Sequence, residues 1–181
     1  TILGLEMPFT RDEIEQGCLD TLEANGLEDG YLRPLVFLDA GAMGLFAQNQ
    51  VRVAIVAWKW GAYLGDEAIN QGIRCMVSSF ARNHVNAAMA KGKIVGQYTN
   101  SILAKREALH HGYQEAIMLD TSGYVSEATG ENIFLVRGGI VRTPPMSSAI
   151  LGGITRQTAI YLCERLGLPL NRELITRDQL Y

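Results

Sequence analysis

The chain has 181 residues, enough for one domain or for one domain and part of a second. Hydrophobic residues make up 48% and charged residues 19%, the balance of a globular protein with a core rather than a disordered one. The net charge is −3 and no Lys/Arg-rich run occurs, which removes the electrostatic footprint of a nucleic-acid binder. The apolar stretch Val51–Trp58 is interrupted by Arg52 and too short to cross a bilayer.

In chain order, Thr10 and Glu13 have capping-box spacing, and Ile14, Cys18 and Leu22 recur every four positions, so an amphipathic helix is expected over 11–25, ended by Gly26. A strand is expected over 32–39, at a sheet edge because Pro34 cannot donate to a ladder. A turn over 41–44 leads to a buried strand, 51–58, and then to an aromatic, glycine-bearing loop, 59–65. Another strand is expected over 72–79, then a short helix over 86–92, with a weak boundary in the polar, small-residue stretch 81–91. Helical spacing over 98–111 ends at Gly112.

Short strands are expected over 115–119, 124–128 and 132–136, with a turn at Thr121-Ser122-Gly123. Gly138-Gly139 has the form of a two-residue hairpin turn leading to a strand over 140–143. Pro144-Pro145 breaks the chain, and a second amphipathic helix runs over 155–166, closed by Gly167 and Pro169. Hairpins mixed with helices predict an α+β fold, not a regular doubly wound sheet.

Cys18, Cys75 and Cys163 are far apart and have no zinc spacing, and no secretory leader precedes them; they are expected to be reduced, mostly buried thiols in a cytoplasmic protein. His84, His110 and His111 also lack metal-ligand spacing, so no metal site is predicted. The adjacent pair suits a helix C-terminus, where positive charge complements the dipole. The sequence starts at Thr1 without a methionine and stops at Tyr181 as a new segment opens, as a piece of a longer chain would.

Three features could carry chemistry. Leu151-Gly152-Gly153-Ile154-Thr155-Arg156 runs from a glycine turn into a helix, where free backbone N–H groups and the positive end of the dipole suit a phosphate. Thr155 adds a hydroxyl and could cap the helix. Lys93 stands beside Ile94 and Val95, whose apolar side chains could bury it and favour the neutral amine that imine chemistry needs; Lys91 and Lys105 are rivals on composition. Glu127 sits at the end of an expected strand before a glycine bend, where a carboxylate could face a positively charged ring nitrogen, with Glu131 competing for that role.

Six segments, YLRPLVF, WGAYLG, KIVGQYTNS, HHGYQEAIMLD, GYVSEATGENIFLV and LGGITRQTAI, stand in an order that resembles the fold-type IV pyridoxal-phosphate enzymes, specifically branched-chain amino acid aminotransferases. The resemblance runs from about Glu28 to Tyr181. It implies the two-domain fold of that family, with residues 1–85 supplying the end of the small domain plus the interdomain loop and residues 86–181 most of the large, cofactor-binding domain. It also implies pyridoxal 5'-phosphate as cofactor and a homodimer or higher homo-oligomer, because family active sites lie near a subunit interface.

Residue by residue, Lys93 is similar to the lysine that bonds the cofactor and then moves a proton between substrate Cα and cofactor C4′. Tyr98 is similar to the tyrosine that hydrogen-bonds the phenolic oxygen, and Glu127 to the acid that holds the pyridine nitrogen. Leu151 matches the residue packed on the ring, and Ile154 and Thr155 match the phosphate cup. Tyr31 and Arg33 match residues that recognise substrate carboxylates, and Met43, Trp60 and Tyr63 match the apolar wall for a leucine, isoleucine or valine side chain.

The sequence departs from the family pattern at Gly152, where proline is common, and at Gln97, where asparagine is common. Family members extend further at both ends; there they supply an arginine to the phosphate, an aromatic residue to the pocket and a serine-glycine-threonine loop. The implied reaction exchanges an amino group between a branched-chain L-amino acid and 2-oxoglutarate. The alternatives are a D-amino acid aminotransferase or aminodeoxychorismate lyase on the same fold, or an inactive fragment that binds no cofactor.

Overall fold

The computed structural model describes residues 2–61 and 65–181; Tyr63 lies outside the described residues. The chain divides into two compact units, Thr1–Asn70 and Gln71–Tyr181.

In the first unit, helix α1 (Arg11–Ala24) starts at a complete capping box: the Glu13 amide donates to Thr10 Oγ1 (3.3 Å) and the Thr10 amide to Glu13 Oε2 (2.7 Å). Gly26, at φ +61°, reverses the chain so that the Leu27 amide reaches back to the Leu22 carbonyl at 3.0 Å. Strands β1 (Tyr31–Leu38) and β2 (Val51–Trp58) form an antiparallel two-stranded sheet, in register from Tyr31 opposite Trp58 to Leu38 opposite Val51. With two strands both are edges, so Pro34 is tolerated opposite Ile55.

Helix α1 packs on β2 so closely that a Cβ on Gly17 would stand 3.0 Å from Ile55 Cδ1. The second strand is nonetheless no buried core strand: none of its residues is fully buried, since a two-stranded ribbon has no sheet neighbour on its far edge. The turn expected over 41–44 falls later, where the Ala47 amide bonds the Gly44 carbonyl. A short helix, α2 (Asp66–Gln71), follows, which the sequence pattern did not signal.

The second unit carries two three-stranded mixed sheets. In one, β3 (Cys75–Val77) runs parallel to β4 (Glu115–Leu119), and β4 pairs antiparallel with β5 (Val125–Ala128). Strand β3 thus belongs to the second compact unit, which begins at Gln71. Helix α3 (Tyr98–His110) lies on β4 through small residues: Ala104 and Ala108 meet Ala116 and Met118, all four at 0% exposure, with Met76 against them.

In the other sheet, β6 (Leu135–Arg137) and β7 (Ile140–Thr143) form the expected hairpin, with Gly138 and Gly139 at φ +60° and +75° as a type I′ turn demands. Strand β8 (Leu170–Arg172), absent from the sequence expectation, follows helix α4 (Ile154–Arg165) and pairs parallel with β7. The result is an α+β arrangement.

Two local expectations fail. Residues 86–92 form turns, not a helix: the Ala87 and Ala88 amides both bond the His84 carbonyl (2.8 and 3.0 Å), and the turn does not propagate. The cysteines are free, but Cys18 and Cys163 are half-buried and Cys75 is exposed.

Met118 is fully enclosed, so Met118→Ala should cost about 2–5 kcal/mol, read as a lower denaturant midpoint. Glu107 on α3 accepts from the Ser78 hydroxyl and from the Ser79 amide (3.0 Å), and these bonds hold its carboxyl below the ordinary carboxylate range. A lowered native pKa gives stability that is present above the unfolded value of about 4.3 and lost as pH falls through the native one. Ser78→Ala should therefore weaken the acid dependence of stability below about pH 5, measured by denaturation across pH.

Candidate active site

A cleft in the second unit is lined by residues drawn from several separate stretches of chain. Lys93, Tyr98, Glu127 and Leu151 all line it, together with Arg82, Gln97, Ser101, Thr129, Glu131 and Asn132. Four residues singled out from the sequence, 58 positions apart at the extremes, are thus brought to one cavity.

Glu127 lies near the end of β5 and is 6% exposed. Its Oε1 pairs with Arg82 Nη2 at 2.8 Å, and its Oε2 accepts from Asn132 Nδ2 (3.0 Å) and from the Leu151 amide (2.9 Å). Burial pushes the Glu127 carboxyl up; the Arg82 guanidinium and the Leu151 N–H oppose this, and the nearby Glu131 charge adds to it.

Neither Arg82 nor Asn132 was recognised from the sequence. Arg82 stands in the polar stretch read as a boundary, and nothing local marks a partner so far along the chain. Its backbone N–H donates to the Leu119 carbonyl (2.8 Å) and its Nη1 to Ser101 Oγ on α3 (3.1 Å), so β4 and α3 together aim it at Glu127. Asn132, beside the rival Glu131, also donates to the Leu151 carbonyl at 2.9 Å.

Glu131 shares the cleft, but its Oε1 is buried without a hydrogen-bond partner. Burial, and then the charge of Glu115, raise its pKa. Glu115, 2% exposed, is matched by Lys105 Nζ (2.6 Å) and by Thr129 Oγ1 (2.7 Å), which ties the 129–131 bend to the start of β4. Lys105 is therefore occupied away from the cleft wall. Lys91 is exposed and does not line it.

Lys93 is the lysine on the cleft wall among the described residues, but the burial expected from its neighbours is absent: Lys93 is exposed and Val95 is 71% exposed. A 3-10 turn, Val95–Gln97, carries the chain from Lys93 into α3, whose first residue is Tyr98.

The glycine turn leads into α4 at Ile154, with Gly153 as the N-cap and no side-chain cap, so the first-turn N–H groups have no intrahelical partner. Thr155 lies within the helix and does not cap it. Ile154 (87% exposed) and Thr155 do not line the cleft, although Leu151, which opens their turn, does. Arg156, 3% exposed, anchors this turn by donating to the Pro144 carbonyl at 2.9 Å. Ala149, at φ +55°, takes the left-handed conformation just before it.

Tyr31, Arg33, Met43 and Trp60 belong to the first unit. Tyr31, Trp58 and Trp60 cluster with ring centroids 4.4 to 5.4 Å apart, and the Arg33 guanidinium lies over the Tyr31 and Trp58 rings at 5.6 and 5.3 Å. Met43 is 99% exposed.

The two glycines of the turn differ. A Cβ on Gly153 would overlap Asn132 Oδ1, whereas one on Gly152 would meet Met146 Cε at an ordinary 3.5 Å. Gly153→Ala should destabilise by about 1–3 kcal/mol. Gly152→Ala should stay within about 0.5 kcal/mol, both read from denaturation midpoints.

The family model for amino-transferase class IV matches residues 1–181. The branched-chain-amino-acid aminotransferase of Pseudomonas aeruginosa is 46% identical over 181 residues, which cover 99% of this chain and 59% of that protein. Among solved structures, Escherichia coli branched-chain amino acid aminotransferase superposes with a TM-score of 0.97 at 42% identity, covering 99% of this chain and 60% of that one. The branched-chain amino acid aminotransferase from Thermobaculum terrenum, solved in its PLP-bound holo form, gives 0.88 at 31% identity, covering 97% and 57%. The chain thus spans about three fifths of the length of its relatives. On a match that runs its whole length, this chain belongs to the class IV aminotransferases.

Proposed function

We propose that the protein containing this chain transfers an amino group between a branched-chain L-amino acid and 2-oxoglutarate, using pyridoxal 5'-phosphate bonded to Lys93. The observation that carries the reading is the shared cleft of Lys93, Tyr98, Glu127 and Leu151 in a chain of the class IV family. The Thermobaculum terrenum relative, solved in its PLP form, supports the choice of cofactor.

The residues present fit that group. The cleft offers one lysine amine, a buried carboxylate suited to a cationic ring nitrogen, and beside it a glycine-headed helix start without a side-chain cap, suited to a phosphate. When bound, pyridoxal phosphate supplies an aldehyde that takes an amine and a ring that accepts electron density from the substrate Cα.

The rest falls to the protein. Lys93 holds the cofactor and then carries the proton to and from the substrate Cα. Glu127 keeps the ring nitrogen protonated, Tyr98 donates to the phenolic oxygen and Leu151 packs against the ring. Ile154 and Thr155 offer the first-turn N–H groups of α4 to the phosphate. Tyr31 and Arg33 bind substrate carboxylates, an arginine fork matching a carboxylate in two places. In the same reading, Met43 and Trp60 would supply apolar surface for a branched substrate side chain.

In the complete protein, residues 1–85 would end the small domain and 86–181 would make most of the large one, in a cytoplasmic homodimer or higher homo-oligomer. Among the described residues no helix is long and apolar enough to cross a membrane.

Borohydride treatment of the intact protein loaded with pyridoxal phosphate should fix the cofactor to Lys93 in a peptide map. An adduct on Lys91 or Lys105 overturns that assignment. Lys93→Ala should lower turnover by roughly 10²–10⁴-fold or more. Rates with L-leucine should exceed those with D-alanine and aminodeoxychorismate; the reverse order rejects the substrate reading, and no cofactor uptake at all rejects the enzyme.

A further inference from the structure

A carboxylate has two oxygens and about four acceptor positions. Glu127 Oε2 is filled by the Asn132 side-chain N–H and the Leu151 backbone N–H, while Oε1 takes Arg82 Nη2. One acceptor position therefore remains, on the oxygen that Arg82 also holds. Both side chains of the pair are nearly enclosed, at 9% and 8% exposure, and both line the cleft. Arg82 is itself fixed by Ser101 Oγ and by its backbone bond to Leu119, and its Nε is buried without a partner. This is a built pair and not a chance surface contact, because each member would be an unmatched buried charge without the other.

We propose that Arg82 is a positioning residue of the cofactor site: it keeps Glu127 ionised inside the cleft and turns Oε1 toward the N–H of a cationic ring nitrogen. The inference rests on the reading that Glu127 receives that nitrogen. Because Arg82 and the ring share one oxygen, the arginine also limits how strongly the carboxylate can draw a proton to itself. The charged groups acting on Glu127 are Arg82 from the segment after β3 and Glu131 from the bend after β5, and Lys93 lines the same cleft. Of these, Arg82 is in direct contact. Losing Arg82 removes the larger of the two influences that favour the ionised carboxyl and leaves only the Leu151 N–H against burial and Glu131, so the titration midpoint of Glu127 rises.

The test is the carboxyl titration of Glu127 in the intact, cofactor-free protein, followed by carbon NMR and assigned by the signal lost in Glu127→Gln. Arg82→Gln should raise the midpoint by about one pH unit or more, and Arg82→Lys, which keeps the charge, by clearly less. With pyridoxal phosphate bound, the acid limb of the kcat profile should move to higher pH in Arg82→Gln and be largely restored in Arg82→Lys. A midpoint in Arg82→Gln equal to that of the unaltered protein overturns the proposal.

If Arg82→Gln does not fold, the double variant Arg82→Gln/Glu127→Gln decides. Its recovery of the native circular dichroism supports the coupling, and its failure to fold makes Arg82 a structural residue and overturns the proposal. The two readings fail separately. An unmoved carboxyl with normal cofactor uptake removes only the role of Arg82. A protein that takes up no pyridoxal phosphate but shows the carboxyl shift loses the function and keeps the pair.

Discussion

A carboxylate taken out of water has to be matched by donors, and Glu127 is matched from three separate stretches of chain: Arg82, Asn132 and the amide of Leu151. The geometry of the cleft follows from that requirement. Arg82 can reach only if the segment after β3 is held against β4, which its backbone bond to Leu119 achieves. Leu151 can present its N–H only if the chain turns sharply beforehand, which Ala149 does in a left-handed conformation that a non-glycine residue rarely adopts. Asn132 then locks the two together by bonding both Glu127 and the Leu151 carbonyl, and its closeness is why position 153 has no room for a side chain.

Behind this junction the packing is close because it is made of small residues. Alanines at 104, 108 and 116 let α3 approach β4, which brings Ser101 within reach of Arg82 and sets Tyr98, the first residue of the same helix, on the cleft wall. The Lys105–Glu115–Thr129 network, also mostly enclosed, pins the bend that carries Glu131. The cleft is thus framed by regular elements, while Lys93, the lysine proposed to hold the cofactor, sits in an exposed loop before the helix. Scaffold and reactive group are divided in the way expected of loops placed by a rigid frame.

Much of the fold could be read from local pattern. The capping box at Thr10 and Glu13, the apolar period of α1 and α3 and the glycine pair of the hairpin each specify a structure within a few residues of themselves. The strand Glu115–Leu119 appears with the expected ends. Three of the misses share one cause. Whether 86–92 winds into a helix, whether β2 is buried and whether Cys75 is covered all depend on what lies alongside, and no local period carries that information.

The sequence by itself determined the family, most of the element types and the list of residues with chemical capacity, because these reside in residue order and short-range spacing. Local pattern left Glu127 and Glu131 as rivals, the family resemblance favoured Glu127, and both passed over Arg82 and Asn132. Only the tertiary structure showed their different surroundings, a buried cation at 2.8 Å from Glu127 and one oxygen of Glu131 without a partner. The physical reason is range: a cap or a turn is settled within about four residues, whereas the charge state of a buried acid is settled by whichever donors folding brings to it.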